Sequence, residues 1–138
     1  MLDRWLDLQP MKDFKKYYKI EALPAEIYLA LTNPFTIELW TGEKAEMSTE
    51  PNSEFSLWDG AIVGRNIEFE QDKKIVQEWY FGETETPSVV TIKLHEGSAT
   101  QSQIEVRQTN IPDEDYADIV EGWNDTYLAA LIRFFEED

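Results

Sequence analysis

The sequence contains few residues that could carry out acid–base, nucleophilic or metal chemistry. Its single histidine, His95, lies in "KLHEGS" at the end of a strand-like run and beside a turn, where an exposed loop histidine is expected. A Ser-His-Asp triad would require this imidazole to point into a cavity. There is no cysteine, which excludes a thiol nucleophile and a disulfide, and a zinc site would depend mostly on carboxylates. We therefore expect no catalytic residue, no metal and no cofactor.

Paired acidic residues are frequent, among them Glu68 with Glu70 and Asp113 with Asp115. Two carboxylates that flank a bond carry out glycoside hydrolysis, but a chain with 28 acidic residues contains such pairs by chance. The segment "GAIVG" (60–64) matches neither the phosphate-binding GxxxxGK[ST] loop nor the dinucleotide-binding GxGxxG motif, and it is typical of a turn followed by a strand. These patterns favour a protein that is not an enzyme.

The formal net charge of −16 limits the partners that the chain can bind. Such a chain repels the phosphates of nucleic acids and anionic lipids, so neither nucleic acid nor a membrane is expected as a partner. A basic protein surface or an uncharged small molecule is compatible with this charge. No apolar run reaches the roughly 18 residues of a membrane span, and the N-terminus lacks a signal-peptide pattern. We expect a cytoplasmic monomer.

The first third of the chain predicts one strand followed by two short helices. The alternation of apolar and polar residues in "DFKKYYKIEA" (13–22) indicates the strand. Residues 23–42 predict the helices, because Pro24 suits a first helical position, Asn33 can cap the second helix and Gly42 can end it.

Between residues 45 and 108 the period of the apolar residues switches to two. Five β-rich runs are separated by turn signals, of which Asp59–Gly60 is typical of a tight hairpin. This spacing predicts an antiparallel meander with one buried face. Together with the first strand it gives a sheet of six or seven strands in a single α+β domain, 1–138, of which residues 1–11 are an N-terminal extension.

The last segment predicts a long amphipathic helix. Pro112 and the acids after it suit a helix start, and from Tyr116 onwards apolar residues follow the 3.6-residue period for over 20 residues. Gly122 interrupts this helix at a cost of about 1 kcal/mol. We expect Gly122 to lie where the helix comes closest to a strand, with Trp123 entering the space under the sheet. The alternative is a tolerated glycine without a packing role.

Three segments resemble the family homologous to the activator of the heat-shock-protein-90 ATPase, in the START-like superfamily. They are "EALPAEIYLALTNPFTIELWTG" (21–42), "FSLWDGAIVGRNIEFEQDKKIVQEWYFGE" (55–83) and "IPDEDYADIVEGWNDTYLAALIRFFE" (111–136). The resemblance implies the helix-grip fold, in which a curved antiparallel sheet of six or seven strands wraps around a long C-terminal helix and two short helices follow the first strand. The resemblance covers only the C-terminal domain of the eukaryotic activators. Family members that consist of a single domain are mostly bacterial.

A cavity between sheet and helix often holds a hydrophobic ligand in START-like proteins. The candidate lining residues here are Trp40, Phe55, Leu57, Ile67, Phe69, Trp79, Ile92, Ile104, Trp123 and Tyr127. The alternative is that these side chains fill the space themselves as an ordinary core. By alternation Gln103 and Arg107 face solvent, and Arg65 would be a polar contact for a ligand only if it faces inward.

The resemblance implies a non-catalytic binding module, linked to chaperones and stress. Its partner is either a small hydrophobic ligand in the cavity or a protein such as a chaperone. The enzyme alternative, by analogy within the superfamily, is a cyclase or aromatase that uses the same cavity to position its substrate.

Overall fold

In the part of the chain that the structure describes, six antiparallel strands form one curved sheet, which confirms the predicted strand count. The computed structural model describes residues 11–81 and 87–136, so the predicted N-terminal extension lies outside the described residues except for Met11. Neighbouring strands follow the order β1-β6-β5-β4-β3-β2. The strands are β1 (Met11–Ile20), β2 (Glu54–Leu57), β3 (Ile62–Glu70), β4 (Lys74–Trp79), β5 (Ser88–Glu96) and β6 (Ser102–Pro112).

Two short helices follow β1, as the capping residues predict. Helix α1 spans Pro24–Thr32 and helix α2 spans Pro34–Thr41, each with proline in its first turn. The Asn33 side chain accepts a hydrogen bond from the Thr36 backbone N–H at 3.1 Å, which satisfies one of the free donors at the start of α2. Gly42 ends α2 with φ of 75°, a left-handed conformation that glycine adopts without steric cost.

The strands from β2 to β6 form the expected meander of consecutive hairpins. In β5 and β6 buried side chains alternate with side chains that are half-buried or exposed, so one face of the sheet lies in the core and the other contacts solvent. The β2–β3 hairpin turns at Asp59–Gly60, and both residues have positive φ, which a type I′ turn requires. The sheet therefore presents a single apolar face to the helices.

The C-terminal helix packs on this face, but it is not uniform. A 3₁₀ turn, Asp113–Asp115, leads into helix α3 (Tyr116–Gly122), a π-helical turn follows at Trp123–Tyr127, and helix α4 (Leu128–Glu136) completes the run. The buried side chains of this run are Trp123, Tyr127, Leu128 and Leu131. The sequence predicts the length and the buried face of the helix, whereas the π turn was not predicted.

The π turn is also tied to the edge of the sheet. The Asn124 side chain accepts hydrogen bonds from Lys16 Nζ and from the Tyr18 hydroxyl, both at 2.8 Å and both from β1. Burial raises the pKa of the Tyr18 hydroxyl to about 12, so it remains a donor to Asn124 at physiological pH. The widened turn is therefore held from the sheet side as well as by the flanking helices.

The expectation for Gly122 is wrong. Its φ and ψ of −59° and −44° are ordinary helical values, and apart from its chain neighbours and the backbone of its own helix no described atom would lie within 4 Å of a Cβ built there. The helix therefore does not approach a strand at this residue. Trp123 does enter the space under the sheet as predicted, and it is 1% exposed.

Among the described glycines, Gly64 on β3 is the one with the closest packing. A Cβ built on it would lie 2.0 Å from the backbone oxygen of Glu78 and 2.8 Å from the Phe55 ring. The first of these atoms belongs to the backbone of the neighbouring strand β4 and cannot move aside without distorting the sheet. Gly64 thus permits close packing of β3 against β4 and the Phe55 ring, a contact within the sheet rather than between helix and sheet.

We predict that Gly64→Ala lowers the free energy of unfolding by about 3 kcal/mol, the upper range for overpacking, because the methyl group collides with backbone. Gly122→Ala is the matched control, and it should raise the free energy of unfolding by up to about 1 kcal/mol through helix propensity. Urea denaturation of both variants measures the difference. Equal stabilities would contradict this account of the two glycines.

Candidate binding cavity

Five aromatic side chains cluster between the C-terminal helix and one end of the sheet. Trp79 of β4 stacks on Trp123 with ring centroids 4.9 Å apart and an interplanar angle of 20°. Tyr127 lies 4.6 Å from Trp123 and 5.5 Å from Trp58, measured between centroids. Trp40 of α2 contacts both Tyr127 and Trp58, at 5.3 and 5.5 Å. Contacts of this kind contribute about 0.5–1.5 kcal/mol each beyond area burial.

The stacked indole of Trp79 is held in place by buried polar side chains. Its N–H donates to Gln77 Oε1 at 3.0 Å, and Gln77 Nε2 donates to Asn66 Oδ1 at 3.0 Å. Asn66 Nδ2 in turn donates to the Ser48 backbone oxygen and to Ser53 Oγ. This chain of hydrogen bonds connects the aromatic cluster to the loop that precedes β2.

Trp123 is held by a second, separate chain of hydrogen bonds. Its N–H donates to Gln108 Oε1 at 2.8 Å, and Gln108 Nε2 donates to Ser88 Oγ at 3.0 Å. The Ser88 hydroxyl donates to the Thr109 backbone oxygen at 2.8 Å. Both indoles therefore keep their ring planes fixed while their N–H groups are satisfied, as buried polar groups require.

A cavity of about 150 Å³ lies beside this cluster and opens to solvent between the β2–β3 hairpin and α3. Most of its walls are apolar. The lining residues are Trp58, Ile62, Trp79, Asp118, Ile119, Gly122, Trp123, Thr126 and Tyr127. Because Gly122 has no side chain, the helix backbone forms part of the wall at that point.

Three of the ten candidate residues from the sequence line this cavity, namely Trp79, Trp123 and Tyr127. The structure places most of the others in the closed core: Trp40, Phe55, Leu57, Ile92 and Ile104 are buried there. Phe69 is half-buried against the core. Ile67 is half-buried and is not among the residues packed against the core, because a register shift between Asn66 and Glu68 turns Asn66 inward instead.

Six lining residues were not among the sequence candidates: Trp58, Ile62, Asp118, Ile119, Gly122 and Thr126. The buried glutamines were also missed. A signal for them exists in the sequence, since Gln77 stands between Ile75 and Trp79 on the inward face and Gln108 continues the inward positions of β6. A polar residue at an inward strand position indicates a buried hydrogen-bond partner.

Trp58 at the rim of the cavity has an unusual backbone conformation. Its φ is 52°, in the left-handed region that bulky residues rarely adopt. Conformations of this kind raise the free energy of the folded state by on the order of 1–3 kcal/mol, and they cluster at ligand-binding sites. Contacts of the indole with Trp40 and Tyr127 offset that cost. The left-handed backbone of Trp58 therefore places an aromatic ring at the mouth of the cavity.

Tyr127 brings a hydroxyl group into the aromatic cluster. Among the described residues the hydroxyl makes no hydrogen bond to another side chain or to the backbone. Burial raises the pKa of this hydroxyl above its usual range, so it stays protonated at physiological pH. Tyr127 thus offers a neutral donor and acceptor at the cavity wall.

The other titratable groups singled out in the sequence lie elsewhere. His95 is exposed, and its Nε2 lies 3.0 Å from Glu105 Oε1; this hydrogen bond lowers the pKa of the Glu105 carboxyl. Arg65 pairs with Glu78 at 2.9 Å, and Arg107 is exposed. Within residues 11–81 and 87–136, no group of three or more histidine and acidic side chains is placed to hold a metal ion. The described helices include none with the length and apolarity needed to cross a bilayer.

A curved antiparallel sheet that grips a C-terminal helix over an apolar cavity defines the helix-grip, START-like class of protein. Within this class, the family model described as Activator of Hsp90 ATPase homolog 1-like protein matches residues 21–136. The chain belongs to this family, which confirms the resemblance found in the sequence.

Individual relatives agree with this assignment. An activator of 90 kDa heat shock protein ATPase homolog from Dictyostelium discoideum is 27% identical over 126 residues, which cover 90% of this chain and 33% of the relative. The chain spans a third or less of the length of the curated relatives it matches.

Two solved structures share the fold. An HSP90 activator from Plasmodium falciparum superposes with a TM-score of 0.79 at 23% identity, covering 87% of this chain and 92% of that one. A protein of the dynemicin biosynthetic locus superposes with a TM-score of 0.76 at 18% identity, covering 92% and 48%.

We predict that Trp123→Phe destabilises the fold by about 1–3 kcal/mol more than Trp58→Phe does. The first change leaves Gln108 Oε1 buried without a hydrogen-bond donor. An unsatisfied buried polar group lowers the free energy of unfolding by this amount. The Trp58 indole N–H makes no hydrogen bond within the described part of the chain, so its loss leaves no partner unpaired. Thermal and urea melts of the two variants test this, and equal losses would contradict it.

Proposed function

We propose that this chain is a non-catalytic binding module whose site is the aromatic cavity between the β2–β3 hairpin and the C-terminal helix. The observation that supports this most directly is the cavity itself, open to solvent and walled by Trp58, Trp79, Trp123 and Tyr127. Apolar pockets with a few polar groups are the usual form of a small-molecule site.

The size of the cavity limits the ligand. At about 150 Å³ it is smaller than the roughly 300–1,000 Å³ that drug-sized ligands occupy. An engineered apolar cavity of about 150 Å³ binds benzene. The ligand class is therefore one small ring or a compact branched group. A polyketide chain would not fit, which disfavours the cyclase or aromatase alternative despite the shared fold with the dynemicin-locus protein.

Two local irregularities support a site at this place. Trp58 has a strained backbone at the rim, and the π turn Trp123–Tyr127 supplies three of the lining residues. Single π-helical turns inside α-helices occur frequently at functional sites. Both features lower the stability of the folded state, and a role in ligand binding explains their presence.

We predict that toluene, a compact ring, binds in the cavity with saturable shifts of the Trp79 and Trp123 indole N–H resonances in NMR spectra. Gly122→Leu should abolish the shifts, because a Cβ at this position meets open space and the longer side chain then occupies the cavity. Ala117→Leu, at an exposed position of the same helix, is the matched control and should bind normally. Identical titrations of the two variants would refute the cavity as the binding site.

A second candidate function is docking of an Hsp90-type chaperone, supported by the family and by the surface of α1 and α2. Large apolar side chains are exposed on these helices: Leu29 is 55%, Phe35 is 81% and Leu39 is 71% exposed. Phe35 and Leu39 stand four residues apart and share one face of α2. Apolar residues grouped in this way mark protein-interaction surfaces, and neighbouring acids such as Glu38 suit a basic partner.

We predict that the double change Phe35→Ser with Leu39→Ser weakens binding to a purified Hsp90-type chaperone by about tenfold or more, as loss of interface anchors does. Toluene binding should be unchanged, since neither residue lines the cavity. Val63→Ser, which removes an exposed apolar residue from the sheet, is the control. Binding is measured at low and high salt. An unaltered affinity of the double variant would exclude the α2 face as the docking surface.

A further inference from the structure

We propose that the cavity selects a small organic cation of the methylated ammonium class over a neutral molecule of the same shape. This inference rests on the proposed function of the cavity as a binding site and adds the chemical class of its ligand.

The first argument is the aromatic character of the walls. Four of the nine lining residues carry aromatic rings, and these rings contact one another beside the cavity, with centroids 4.6–5.5 Å apart between successive members. The π system of Trp, and to a lesser degree of Tyr, attracts cations electrostatically. Aromatic cages built from such rings recognise choline and methylated lysine.

The second argument is the charge at the rim. Asp118 is the one charged side chain among the described lining residues, and it is exposed on the first turn of α3. A carboxylate there repels fatty acids and phosphates and attracts a cation. A purely hydrocarbon ligand would gain nothing from it. The net charge of −16 acts in the same direction, because it raises the local concentration of cations.

The third argument is that the polar groups at the wall are neutral or acidic. Apart from the indole N–H groups, the remaining polar side chains of the lining are Thr126 and the protonated Tyr127, and no lysine or arginine is part of it within the described residues. An anionic ligand would therefore enter the cavity without a counter-charge, at a large desolvation cost. A methylated ammonium is weakly hydrated, compact and apolar on its surface, and it suits both the rings and the carboxylate.

The test compares choline with 3,3-dimethylbutan-1-ol, in which a carbon replaces the charged nitrogen and the shape is retained. By NMR titration choline should bind about tenfold more tightly than the alcohol, the range expected of a desolvated cation–π site. Asp118→Asn should weaken choline binding by about threefold and leave the alcohol unaffected, as expected for an exposed charge. Asp125→Asn removes an exposed carboxylate outside the lining and should change neither.

The possible outcomes separate this inference from the proposed function. If the alcohol binds as tightly as choline, or if toluene binds and choline does not, cation selection is overturned and the cavity stands as a neutral apolar site. If choline, the alcohol and toluene all fail to shift the Trp79 and Trp123 resonances, both proposals are overturned. If Asp125→Asn weakens choline binding as much as Asp118→Asn does, the charge acts at long range and the assigned role of Asp118 is overturned.

Discussion

The stacking of Trp123 on Trp79 joins the two halves of this molecule. Trp79 belongs to the meander and Trp123 to the C-terminal helix, and their rings lie nearly parallel 4.9 Å apart. Each indole donates its N–H to a glutamine of the sheet, so neither ring can rotate without leaving a buried polar atom unsatisfied. The helix is therefore fixed to the sheet both by apolar contact and by directional bonds at the same place.

The cavity depends on that arrangement. Because Trp79 and Trp123 are held rigidly, the space beside them is bounded by side chains that do not collapse into it. The π turn aims both Trp123 and Tyr127 at the sheet, and Trp58 borders the space from the hairpin in a conformation that the surrounding rings stabilise. A site that is formed in advance loses little entropy when a ligand binds.

The sequence predicted the structure correctly where a residue type favours a particular backbone conformation. The alternating period located the strands, and proline, asparagine and glycine located the ends of α1 and α2. It failed where geometry depends on distant residues. No local pattern marks the π turn, the left-handed φ of Trp58 or the bulge that turns Asn66 inward and Ile67 outward. The packing role expected of Gly122 was wrong for the same reason, since only the tertiary packing reveals which glycine faces a neighbouring strand.

The open space above Gly122 also has a consequence for divergence among related chains. At this position the volume of the cavity depends on a residue whose Cβ would meet open space within the described structure. Alanine, serine or valine there would narrow the cavity stepwise while the core, the caps and the sheet register stay as they are. The volume of the cavity can therefore change through one residue, with only the small change in stability that helix propensity brings.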